Sequence, residues 1–143
     1  MQHIVVGVDG SAASRRALHW AVDYARTSGA DLHVIHAWTV PDLGADPLAG
    51  MIADPADLEA QARRELDLVL AGVDESGLAG RIEPALVRDD PAKALLDAAK
   101  GADLLVVGSR GLGGAGDAAL GSISHRVIRE ASCPVVVVPP DST

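Results

Sequence analysis

Leu104-Leu105-Val106-Val107-Gly108-Ser109-Arg110-Gly111 runs through Leu112-Gly113-Gly114-Ala115-Gly116-Asp117-Ala118-Ala119-Leu120 into Gly121-Ser122-Ile123-Ser124. The four apolar residues read as a buried strand, the glycines as a loop, and the residues from Ser122 onward as a helix. Gly108, Gly111, Gly113, Gly114, Gly116 and Gly121 carry no Cβ to hold a ligand away from backbone N–H groups. A helix opened by Ser122 and Ser124 presents unpaired N–H groups and the positive end of its dipole. The unit therefore suits an anion, with phosphate as the candidate.

The spacing narrows the choice. Two residues separate Gly108 from Gly111, and nine separate Gly111 from Gly121-Ser122. This is neither Gly-x-Gly-x-x-Gly nor a Walker loop ending in Gly-Lys-Ser/Thr, which disfavours a dinucleotide site and an ordinary P-loop. It resembles the ATP-binding signature of the universal stress protein family. The resemblance extends over nearly the whole chain: Val8-Asp9-Gly10-Ser11 after the first strand, His36-Ala37-Trp38 at the end of the second, the Gly-Ser-Arg-Gly loop, and the closing Ser132-Cys133-Pro134-Val135-Val136-Val137-Val138-Pro139.

Outward from this unit, 143 residues suit one domain over 1–143, long enough for a sizeable core. The chain is 48% hydrophobic but only 2% aromatic, with no Phe, so Val, Leu, Ile and Ala must pack the core, as buried parallel sheets do. A net charge of −8 argues against nucleic acid and anionic membrane surfaces as partners. One cysteine, Cys133, permits no internal disulfide. No apolar run approaches a membrane span and Met1-Gln2-His3 leads directly into a strand, so a cytoplasmic protein is expected.

Ile4–Val8 reads as the first strand, followed by the Asp9-Gly10-Ser11 turn with Ser11 as helix N-cap. Ala17, Leu18, Ala21, Val22 and Ala25 keep helical spacing up to a stop at Gly29. A second strand covers about Asp31–Ala37. From Trp38 to Asp54 the prolines and glycines mark a long connection, which the resemblance implies lies beside the nucleotide as a lid and which otherwise reads as a solvated linker. Asp54-Pro55 opens a helix to about Leu70, with Leu58, Ala62, Leu66 and Val69 on one face. Glu59, Arg63, Arg64, Glu65 and Asp67 are read as its salt-bridged solvent face. A third strand near Ile82–Val87 is placed at an edge by Pro84. Asp90-Pro91 caps a short helix to Lys100, stopped by Gly101. The helix after the glycine loop carries Ile123, Val127, Ile128 and Ala131, and Val135–Val138 is the fifth strand.

Strands alternating with helices predict an α/β fold: an open parallel five-stranded sheet with helices on both faces, Rossmann-like. The resemblance implies the strand order 3-2-1-4-5, which sets the first and fourth strands side by side. Ligands bind beyond the carboxyl ends of strands at such a switch point, where Asp9 and Gly108 meet.

The resemblance further implies a nucleotide site built from Gly7, Val8, Asp9 and Ala37, and from Gly108, Ser109, Arg110, Gly111, Leu112, Gly113, Gly114, Gly121, Ser122, Ile123 and Ser124. Asp9 and Ala37 fall at its adenosine end; read alone, Asp9 is a turn residue bonding the following N–H groups, and the resemblance tips it towards ligand contact. Arg110 is the loop's one cation, able to offset phosphate charge or to pair with nearby carboxylates. Asp117 departs from the family pattern, which often carries another cation there. It would face solvent, help hold a divalent cation between phosphates, or shift preference from ATP toward ADP or AMP. The implied ligand is ATP, with ADP or AMP as alternatives and Mg or Mn as companion.

His3, His19, His33, His36 and Cys133 show no metal-ligand spacing, and no protein metal site is assigned. His36 reads as a satisfied histidine at a strand end, and Cys133 as a small buried apolar residue. No nucleophile elbow and no catalytic constellation is present in the sequence. Three functions stay open: a nucleotide-dependent regulatory module of the stress response, a slow ATPase or phosphoryl-transfer enzyme at the same site, and an interaction protein without nucleotide. In the resembling family the last strand, here Val135–Val138, pairs across a two-fold axis, which implies a homodimer.

Overall fold

The structure, a computed structural model, describes residues 2–40, 54–109 and 121–139. Its elements in chain order are β1 (His3–Val8), α1 (Ala12–Ser28), β2 (Asp31–Trp38), α2 (Pro55–Ala71), β3 (Ile82–Arg88), α3 (Pro91–Ala98), β4 (Leu104–Gly108), α4 (Ser122–Glu130) and β5 (Val135–Val138). The strands form one sheet in the order β3-β2-β1-β4-β5, every pair parallel, with Val6 of β1 opposite both Val34 of β2 and Val106 of β4. The expected architecture and order are both present.

The helices begin and end where local chemistry places them. Ser11 caps α1 by accepting from Ser14 N–H, Asp54 caps α2 from Ala56 N–H and Asp90 caps α3 from Lys93 N–H. Pro55 and Pro91 take the first helical position, where a missing N–H costs nothing. Gly29 closes α1 at φ 76° and returns its N–H to Ala25 O at 2.8 Å, a left-handed cap that side chains resist.

Strand alternation then sorts the core into two layers. Ile4, Val6, Leu32, Val34 and Val106 pack against α1 (Ala17, Leu18, Ala21, Val22) and α2 (Leu66, Val69). Val5, Ile35, Leu105 and Val107 pack on the other face against α3 (Ala92, Leu95) and α4 (Val127). β1 is buried on both faces, which explains its uninterrupted apolar run. β3 lies at one edge with Pro84, whose missing N–H an edge tolerates, and β5 at the other. Among the described residues no helix is long and apolar enough to cross a membrane.

Ile128 and Glu65 depart from the sequence reading. Ile128 is 43% exposed, because Val127 holds the buried line of α4 and the next residue turns about 100° away from it. Glu65 is not confined to a solvent face: half-exposed on α2, it turns to meet the buried His36 ring.

Candidate functional site

The carboxyl ends of β1 and β4 lie side by side, and each ends in a hydrogen-bonded corner. After β1, Asp9 Oδ1 accepts from Ser11 N–H at 2.8 Å and Asp9 N–H donates to Ser14 Oγ at 3.1 Å. Ser14 Oγ in turn donates to Ser11 O at 3.1 Å. The turn passes through Gly10 at φ 83°, a left-handed conformation that suits glycine. Asp9 therefore does act as a turn residue, and it also lines the crevice described below.

At the β4 corner, Ser109 N–H donates to Val138 O at 2.9 Å and Gly121 N–H donates to Ser109 O at 2.7 Å. The chain thus leaves for the glycine segment and returns from it at one point. Ser124 Oγ donates to Gly108 O at 2.5 Å, tying the first turn of α4 to the strand end. Ser109 Oγ is buried and has no hydrogen-bond partner among the described residues, a cost a polar ligand or water would remove.

α4 differs from the other helices at its start. Its N-cap is Gly121, which supplies no side-chain bond, and the first helical bond runs from His125 N–H to Gly121 O at 2.9 Å. The N–H groups of Ser122, Ile123 and Ser124 precede that bond, so the helix itself offers them no acceptor. They carry the positive end of the α4 dipole.

Between the corners lies a crevice with about 500 Å³ of empty space, its open mouth included. The structure brings Gly7, Val8, Asp9, Ala37, Gly108, Ile123 and Ser124 together on its walls. Ser109, Gly121 and Ser122 stand at its β4 end without lining it. Arg110, Gly111, Leu112, Gly113, Gly114 and Asp117, and most of the Trp38–Asp54 connection, lie outside the described residues. The walls also include Ser14, Ile35, Pro91, Leu95 and Val107, which the sequence reading missed. Ser14 is three residues after a cap serine, and Pro91 follows the end of β3 at the same pole of the sheet; both positions were signals.

Space at two wall positions favours glycine, most strictly at Gly108. A Cβ on Gly108 would come 3.0 Å from Ala13 C and O, and one on Gly7 would come 2.8 Å from both methyl carbons of Leu95. α1 can approach the end of β4 this closely only because no side chain intervenes, whereas at Gly7 it is the Leu95 side chain that would have to move.

The crevice is acidic on its walls and mixed in charge around them. Asp9 is the ionisable group on its walls among the described residues. At the rim, Arg126 bridges Asp90 and Glu130, both at 3.0 Å, which links α4 to the capped start of α3. Lys93 binds Asp89 at 3.1 Å; its ammonium, helped by Asp90 N–H, holds the Asp89 carboxyl below the usual range, and Asp89 raises Lys93 in return. His36 is buried at 3% exposure with both ring nitrogens engaged, as expected of a satisfied strand-end histidine. Cys133 is half-buried rather than buried, and burial pushes its thiol up. Among the described residues no group of three or more His, Cys, Asp or Glu could hold a metal ion.

Comparison with known proteins agrees with this geometry. The profile of the universal stress protein family matches residues 1–139. A universal stress protein of Mycolicibacterium smegmatis is 39% identical over 137 residues, covering 96% of this chain but 45% of that protein, so the chain spans less than half of that relative's length. A universal stress protein of Thermus aquaticus is 37% identical over 139 residues, covering 94% of this chain and 96% of that one. Among solved structures, a universal stress protein in complex with cAMP is 31% identical, covers 98% of both chains and superposes with a TM-score of 0.63. With the fold, the glycine-bounded crevice and the whole-length match in agreement, this chain belongs to the universal stress protein family.

Proposed function

We propose that residues 1–143 form a single adenine-nucleotide-binding regulatory unit whose ligand is ATP, with ADP or AMP as weaker alternatives. The observation that carries this reading is the uncapped start of α4 beside the buried, unpartnered Ser109 hydroxyl, at the switch point between β1 and β4. Three N–H groups without an acceptor in the helix, a hydroxyl and the helix dipole there suit phosphate oxygens. The half-apolar walls formed by Ile35, Ala37 and Leu95 suit a purine. The cAMP complex of a 31% identical protein supports an adenine nucleotide in this fold.

Gly7, Val8, Asp9 and Ala37 serve the adenosine end in this reading. Gly108 to Gly114 and Gly121 to Ser124 serve the phosphates, with Mg or Mn offsetting charge between phosphate oxygens. Binding acts by favouring one conformation or partner over another, which requires a difference in affinity between the two states. The β5 edge, with Val135–Val137 half-buried, is where a second copy would pair to make a homodimer.

Calorimetric titration of nucleotide-stripped protein with ATP, ADP and AMP, with and without Mg, tests the reading. Saturable binding of ATP is expected, without turnover over hours. Absence of heat with all three nucleotides would refute it.

A further inference from the structure

Resting on the nucleotide reading, we propose that Glu65 and His36 form a strut from α2 that positions Asp9 and so sets nucleotide affinity from a helix outside the crevice. Among the described residues α2 contributes nothing to the crevice walls.

The strut acts on one peptide unit. His36 Nδ1 is 2.9 Å from Val8 O, which can only accept, so the ring donates there. Val8 O belongs to the same planar peptide as Asp9 N–H, and that N–H donates to Ser14 Oγ at 3.1 Å. The Val8–Asp9 peptide is therefore gripped at both ends, by β2 through His36 and by α1 through Ser14. Its rotation sets where the Asp9 side chain leaves the backbone.

Glu65 holds the ring in that role. Its Oε2 lies 3.0 Å from His36 Nε2, and its Oε1 accepts from Gln61 Nε2 at 3.3 Å across one turn of α2. A Cβ on Gly10 would come 3.9 Å from Glu65 Oε2, so the carboxylate also sits over the Asp9-Gly10 turn. Asp9, His36, Gln61 and Glu65 line a second cavity that shares Asp9, Ala37 and Pro91 with the first. Packing of α2 does not require this pair, since Ala62, Leu66 and Val69 supply its buried stripe. The Glu65 side chain stays 38% exposed while it meets the buried imidazole, so the contact contributes little stability and is better explained by orientation.

The test compares Glu65→Leu, which removes the partner of Nε2, with Glu65→Gln, whose side-chain amide can pair with Nε2 through its oxygen when that nitrogen carries a proton or through its N–H when it does not. Two quantities are read: the backbone amide NMR signals of Asp9, Gly10 and Ser11 in the free protein, and calorimetric affinity for ATP and AMP. In Glu65→Leu the amide signals move and affinity falls about tenfold; Glu65→Gln returns the signals and brings affinity back to within about threefold of wild type. Glu65→Ala replaces the Leu variant if that variant does not fold. Unmoved signals, moved signals with affinity unchanged, or a loss that Gln fails to rescue would each overturn the proposal. A wild-type protein that takes up neither nucleotide overturns the nucleotide reading and the affinity role together, while the amide signals still decide whether the strut holds Asp9.

Discussion

Gly108→Ala is the most informative small change in this molecule. The added Cβ would stand 3.0 Å from Ala13 C and O and 3.2 Å from Ala13 Cβ. Ordinary carbon contacts begin about 0.4 Å further out, and the obstacle is helix backbone rather than the end of a flexible side chain. The first turn of α1 must retreat by that amount. The same turn carries Ser14, whose Oγ accepts from Asp9 N–H at 3.1 Å, so a retreat along that bond takes it to the edge of hydrogen-bonding distance, about 3.5 Å. Overpacking of this kind costs about 1–3 kcal/mol. For a chain of this length that lowers Tm by roughly 3–12 °C. Urea unfolding of the variant is expected to show a lower midpoint with an unchanged slope, and nucleotide affinity is expected to fall alongside. An unfolding free energy within about 0.5 kcal/mol of wild type, with the Asp9 amide signal unmoved, would refute the reasoning.

Other consequences follow from single contacts. Ser11→Ala removes the α1 cap and is expected to cost about 1 kcal/mol in urea unfolding; a loss below about 0.3 would show that the cap contributes little. Asp89 is held below its ordinary value of 3.8, so its contribution is present above that value and is lost as pH falls through the lower folded value. Thermal unfolding between pH 2.5 and 5 should therefore be steeper in wild type than in Asp89→Asn, and equal slopes would contradict the Lys93 pairing. The raised Cys133 thiol is expected to react with iodoacetamide several-fold more slowly at pH 8 than free cysteine; an equal rate would mean that burial does not govern it. Gly121→Glu and Asp9→Glu are expected to weaken ATP binding in folded protein, and unchanged affinity in both would remove those residues from the site.

The fold was legible because its signals are local and agree with one another. Ile4–Val8 and Leu104–Val107 are uninterrupted apolar runs, which parallel strands buried on two faces require. Asp54-Pro55 and Asp90-Pro91 mark helix starts through a cap and a fixed φ, and both caps form. The site was legible in part. Asp9 and Gly108 stand at ends of neighbouring strands, so topology alone brings them together. Leu95 and Val107 escaped notice because an apolar wall residue looks like any core residue in sequence.

Glu65 was missed for a different reason. It lies three residues after Ala62 and seven after Leu58, at the border of the apolar stripe, where a charged residue reads as solvent-facing. Only the third dimension shows that His36, on the same face of β2 as Leu32 and Val34, stands opposite that border. Pairing between a helix and a strand 29 residues apart leaves no periodic trace.

The account stands most directly on where a nucleotide touches the chain. Backbone amide signals recorded during titration with ATP and Mg answer that residue by residue. The account predicts that Asp9, Gly108, Ser109 and Ser122 to Ser124 move together and saturate with one dissociation constant. Saturating shifts confined to other surfaces, with these amides unmoved, would contradict it.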